Sequence, residues 1–273
     1  MKNALCLLFC LAIFQTPKAQ EKLYFHKSDH VADGVDISDL DSLSFSDEGT
    51  TISISINGQI WDYPLRKIDS LSFGNDSDEL SIVYNDGYAT VVNPRAFEGV
   101  SVTVKGAEVC VTSASDIKDI AYRLSGKTSD GAFKIYSEKR FHLYLNGLDL
   151  THNDGPAINI QSKKTASVTL VDGTVNFLAD GTSYAQSAID SEGAYEDQKA
   201  TFFSEGSLVF DGNGQLILSG KGADQHGIGC DETIEIRSGN FAVQRATKDG
   251  IHAKEGISIY DGIISIVASG DGM

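Results

Sequence analysis

The residues with the clearest chemical promise are acids set before glycine at repeating intervals. Asp249-Gly250 and Asp271-Gly272 hold matching positions, and His226-Gly227 holds the same position one repeat earlier, with Asp224 just before it. If successive repeats stack at the spacing of neighbouring strands, about 4.8 Å, two such carboxylates can share one Ca2+, whose oxygen ligands lie at about 2.3–2.6 Å. An Asp before Gly equally serves as turn chemistry, accepting nearby backbone N–H groups. Asp180 and Asp190 belong to a second acidic cluster with Asp172, Glu192, Glu196 and Asp197. A loop so rich in carboxylates either folds around calcium or stays a solvated surface. The candidate metal set is Asp224, Asp249, Asp271, Asp180 and Asp190, and the residues alone leave both readings open.

Aromatic rings offer a second kind of chemistry, because a ring face takes the C–H face of a pyranose. If Leu143 and Leu145 point inward, Tyr144 points out; if Ile257 and Ile259 point inward, Tyr260 points out with Arg237 in its column. Tyr144, Arg237 and Tyr260 are the expected sugar-contacting residues. An outward Tyr is also common on any sheet surface. Elimination on a uronate needs a base beside a cation-neutralised carboxylate, and Lys248 and His252 flank Asp249 as candidates for that alternative. Local charge pairing accounts for them equally well.

The elements that must carry these residues follow from a repeat of about 22–23 residues. Ile234, Ile236, Gly239, Phe241 and Val243 recur as Ile257, Ile259, Gly262, Ile264 and Ile266, and Ile251 falls between Ile228 and Met273. Leu216 and Leu218 fill the same columns upstream, and Val100–Val111 reads as a looser copy. Short alternating strands broken by glycine at this period fit the coils of a parallel β-helix. The stretch from Gly181 to Gly206 breaks the period and reads as an inserted loop. The expected fold is all-β: a right-handed parallel β-helix (solenoid) over 75–273, apparently truncated in mid-coil, preceded by a small β-rich N-terminal region. That region, 20–74, carries Asp41-Ser-Leu-Ser-Phe45 again as Asp69-Ser-Leu-Ser-Phe73, and its single Trp61 reads as a packing residue. Residues 1–19 read as a signal peptide, charged at Lys2 and apolar from Ala4 to Phe14, too short to span a bilayer. The chain is expected to be secreted or at the cell surface.

Within the 273 residues, 22 Lys+Arg against 38 Asp+Glu give a net charge of −16, which argues against nucleic acid or anionic membrane as a partner. Cys110 and Cys230 remain after the signal and form no disulfide framework or zinc pair.

An ordered series of motifs carries a resemblance over about Leu80 to Met273. It runs through Tyr122-Arg-Leu-Ser-Gly126, Leu143-Tyr-Leu-Asn-Gly147, Pro156-Ala-Ile-Asn-Ile160, Val168-Thr-Leu-Val-Asp-Gly-Thr174, Asn176, His226-Gly-Ile228 and Asp249-Gly-Ile251. This resembles a bacterial family of secreted carbohydrate-binding β-helices, similar in shape to the pectate lyases of polysaccharide lyase family 9. The resemblance implies cellulose-like or acidic, pectin-type sugars and bound calcium, and it assigns no calcium ligand here. The expected function is non-catalytic recognition of polysaccharide with calcium. A calcium-dependent polysaccharide lyase is the alternative, and a structural or adhesin stalk the third reading. The oligomeric state is open.

Overall fold

The computed structural model describes residues 22–46, 48–74, 77–190 and 192–273. The expected signal peptide, with Cys6 and Cys10, lies outside the described residues. Strands make up 58% of the structure, and they wind into a β-solenoid of about 6 turns behind a small β-rich N-terminal region. Among the described residues no helix is long and apolar enough to cross a membrane.

Each full coil contributes one strand to each of three faces. In one coil these are Leu208–Gly212, Gln215–Ser219 and His226–Cys230, and in the next Thr233–Ile236, Asn240–Arg245 and Ile251–Ala253. Every strand pairs in parallel with its counterpart in the neighbouring coil, so residues of one column lie side by side. The columns read from the repeat are those observed: Ile234 beside Ile257, Ile236 beside Ile259, Phe241 beside Ile264, Val243 beside Ile266, and Ile228 beside Ile251. Alternate residues face inward because the strand period is two. On the third face the inward column runs Val109, Phe133, Ile158, Phe202, Ile228, Ile251, all buried. Phe202, Phe210 and Phe241, one from each face, meet edge to face at centroid distances of 5.7 and 5.3 Å and close the core across the coil.

The corners are set by residue chemistry. Gly262 turns at φ 121°, and a Cβ there would stand 2.5 Å from the carbonyl oxygen of Gly239, so no other residue fits the column. Upstream, Phe141–His152 runs through the corner between the first and second faces as one strand. Buried Asn176 satisfies that bend: its Oδ1 accepts the N–H groups of Gly147 and Leu148 at 2.9 and 3.0 Å, and its Nδ2 donates to the Gln215 carbonyl.

The start of the solenoid differs from the repeat reading. Val100–Lys105 and Glu108–Ser113 form an antiparallel hairpin, not a coil. Only two residues separate these strands, and Gly106 at φ 61° supplies the tight turn; a parallel return needs a far longer connection. A second hairpin, Leu80–Asn85 with Tyr88–Asn93, pairs on one side with the coil strand Ile120–Thr128 and on the other with Val31–Asp36. The duplicated string falls in two strands, Leu40–Phe45 and Ile68–Gly74, which join different sheets. Leu23, Phe25, Val35, Ile52, Ile54 and Ile56 form a second core there. Trp61 packs edge-on to Phe97 at 5.3 Å, the packing role expected of it.

Candidate functional site

The first face turns one row of side chains outward along the solenoid axis. Strand register places Arg123 beside Tyr144, Tyr144 beside Thr169, and Thr169 beside Asp211. The row continues one residue past the next strand end, where Arg237 donates its N–H to the Phe210 carbonyl and Tyr260 donates to that of Ile236. Tyr144, Arg237 and Tyr260 thus lie in a single row, with Arg123, Thr169 and Asp211 completing it. Sequence reasoning missed those three because their place depends on register across the irregular upstream coils. The Arg123 guanidinium sits 4.8 Å over the Tyr144 ring and is itself held by Glu79, Nη2 to Oε2 at 3.0 Å. Thr169 donates to Asp211 at 2.5 Å, and Arg237 donates to Glu235 at 2.7 Å. Tyr260 is 72% exposed, and Tyr144 is half-buried. From Tyr144 to Tyr260 is four coil steps, about 19 Å. Such a row can stack rings and bond hydroxyl groups along an extended chain.

The third face carries the His226–Asp249–Asp271 column. Gly227 donates to the Asp249 carbonyl and Gly250 to that of Asp271, so the three residues do stack in consecutive coils. The Asp249 oxygens, however, have other neighbours. Asp249 Oδ1 accepts the N–H of Asp271 at 3.0 Å, while Oδ2 lies 3.3 Å from Nδ1 of both His226 and His252. The two imidazoles stack at 4.3 Å with planes 11° apart. This convergence was not read from sequence; His226 and His252 flank the same aspartate only because one coil separates them. Burial, then the neighbouring His252 and Lys248, push the His226 imidazole down to about 4, so it is neutral at neutral pH. Asp271 is exposed, and Asp224 sits at φ 59° in the turn before His226. Calcium takes six to eight oxygens, and the mixed nitrogen and oxygen donors around Asp249 do not suit it.

The inserted loop, shorter than expected, ends where strand Ala200–Ser204 begins. Asp180 at its start is wholly buried. Its Oδ2 accepts from Tyr184 at 2.6 Å and Thr201 at 2.9 Å, and its Oδ1 accepts the N–H groups of Lys221 and Gly222. Four donors occupy both oxygens. Asp190 caps a turn, accepting the N–H groups of Glu192 and Ala194 at 2.9 and 2.8 Å. Glu196 pairs with Lys134 and accepts from Tyr136 at 2.6 Å, pinning the loop over the third face. Beside the pinned loop opens a groove of about 470 Å³ whose walls include Cys110, Lys134, His152 and Asn159. Cys110 and Cys230 are free thiols; burial pushes Cys230 up to about 11.

Comparison with known proteins bears on this architecture directly. A family model described as carbohydrate-binding domain-containing protein matches residues 105–273. A curated relative of that same description, from Acetivibrio thermocellus, is 29% identical over 160 residues, covering 56% of this chain and 50% of the relative. The chain therefore spans about half the length of that relative. Among solved structures, the gadolinium derivative of a polysaccharide lyase-like protein from C. thermocellum aligns with a TM-score of 0.52 at 21% identity, covering 71% of this chain and 93% of that one. At that identity the likeness speaks for the fold.

Proposed function

Because the chain belongs to the family of carbohydrate-binding domain-containing proteins, we propose that it is a non-catalytic polysaccharide receptor working at or outside the cell surface. We place its recognition surface on the first face. The observation that carries this reading is the outward row Arg123, Tyr144, Thr169, Asp211, Arg237, Tyr260. Two tyrosines supply ring faces, the polar members supply donors and acceptors for hydroxyl groups, and two arginines supply counter-charges for a uronate. A flat row on rigid parallel strands suits an extended polymer better than a single sugar, because the contacts are pre-aligned and little order is lost on binding.

Calcium enters this reading as a bridge. Asp211 in the row and Glu235 beside Arg237 are acids on the face that would meet a uronate. A divalent cation held between one of them and a sugar carboxylate turns repulsion into attraction. Neutral glycans would not need it.

The test is retention on a panel of immobilised neutral and acidic polysaccharides, with and without chelator. Binding to at least one glycan is expected, and Tyr144→Ala and Tyr260→Ala should each weaken it roughly three- to tenfold. Chelator should weaken retention on acidic glycans alone. Retention unchanged in both tyrosine variants would remove the row from the reading. Steady release of unsaturated product from polygalacturonate would replace it with the lyase.

A further inference from the structure

The third face offers a separate site. We propose that His226, Asp249 and His252 form a half-open binding site for a divalent transition metal of the Zn2+, Co2+ or Ni2+ class.

Asp249 Oδ2 stands 3.3 Å from Nδ1 of each histidine, and the three donor atoms all lie within 4.8 Å of one another. With bonds of about 2.0–2.2 Å at tetrahedral angles, the ligand atoms of such a metal stand about 3.3–3.5 Å apart. Two of the three spacings already have that value. The third closes when the half-exposed His252 ring turns out of its stack, so that its lone pair converges with that of His226.

The hydrogen-bond pattern leaves a gap that a cation fits. The Asp249 N–H donates to His226 Nδ1 at 3.3 Å. Nδ1 therefore carries a lone pair, and the ring proton sits on Nε2. Nδ1 also stands 3.3 Å from the carboxylate Oδ2, two acceptors side by side that repel until a positive charge lies between them. The long N–H contact is given up when metal binds.

The donor set selects the metal. Imidazole nitrogen suits zinc-class ions, whereas calcium and magnesium want oxygen. An imidazole ligates through an unprotonated nitrogen, and His226 Nδ1 already acts as an acceptor. Asp249 is aimed by its other oxygen, which accepts the Asp271 N–H. Gly270 leaves room for that carboxylate, because a Cβ there would stand 2.5 Å from Oδ1. The Lys248 charge opposes a cation and sets the affinity below that of a closed structural site. The open side, past His252, leaves a coordination position for water or an incoming oxygen ligand.

The experiment uses the full chain without a polyhistidine tag, stripped of metal. Co2+ is titrated and followed by its visible absorption; Zn2+ is titrated against a chromogenic chelator; Ca2+ is added as competitor. One equivalent of Co2+ or Zn2+ is expected, undisturbed by excess Ca2+. His252→Ala and Asp249→Asn should each weaken it by more than about tenfold. His252→Ala alters an exposed ring, so its thermal unfolding should match the parent and the loss of metal is not a loss of fold. Absence of saturable one-equivalent binding in the parent would overturn the proposal, as would parental affinity in His252→Ala. Glycan retention should be unchanged in His252→Ala, because the row lies on another face.

Discussion

At the scale of the residue, the acids proved to be of different kinds. Asp180 read from sequence as one of a cluster, yet it sits at zero exposure with four donors on its two oxygens. Asp180→Ala strands those donors in the interior, and the expected loss is about 3–5 kcal/mol. In a chain of this size that is a fall in Tm of roughly 10 °C, read by thermal denaturation. Asp190, by contrast, caps its own turn by accepting the N–H groups of Glu192 and Ala194, while Asp249 accepts one N–H from Asp271 in the next coil. Column membership was legible because hydrophobic spacing sets it. Side-chain direction was not, since Asp249 gives one oxygen to the Asp271 backbone N–H and the other to His226 and His252, a choice of local rotamer and packing that spacing does not encode. Arg237 beside Tyr260 could be read, because both fall in the two regular final repeats. Arg123 over Tyr144 could not, because the upstream coils differ in length, from Arg123 to Tyr144 and from Tyr144 to Thr169.

At the scale of the element, the inserted loop behaves as a strap over the third face. Glu196 ties it to Lys134 and Tyr136, and Gln161 donates to the Asp197 carbonyl at 2.8 Å. Glu196→Ala removes the tie without touching the inward column of Val109 to Ile251. Proteolysis within 181–199 should speed up several-fold while the main unfolding transition moves little, because local opening and global stability are separate quantities. Limited proteolysis followed by mass spectrometry reads this. The hairpin at Val100–Ser113 shows where periodicity misleads. Alternation of apolar and polar residues marks a strand in either direction, and only the two-residue turn at Gly106 and Ala107 reveals that the chain doubles back.

At the scale of the whole molecule, stability comes from columns that run through every coil. Buried Phe210 packs edge to face against both Phe202 and Phe241 and so links the three faces; Phe210→Ala should cost about 3–5 kcal/mol and loosen coils on both sides, visible as faster amide exchange along the first face. The start of the solenoid and the N-terminal region are joined by charge: Asp78 lies 2.9 Å from Lys22 and 2.9 Å from Arg95. The hydrogen bond from Lys22, followed by the Arg95 charge, holds the Asp78 carboxyl below its ordinary value of 3.8. A depressed carboxyl stabilises the folded state above its ordinary range, and that contribution is lost as the pH falls through the folded value. Thermal unfolding should therefore show a smaller acid-induced fall in Tm for Asp78→Asn than for the parent chain, from a lower starting point at neutral pH. The outward row has a consequence at this scale too. It holds an Arg–Tyr pair at each end, Arg123 with Tyr144 and Arg237 with Tyr260, four coils apart. If this row is the glycan surface proposed above, a short oligosaccharide engages one pair, and a chain long enough to bridge both binds the second at high effective concentration. Affinity should then rise with oligosaccharide length in a step rather than a slope, making the face a gauge of polymer length.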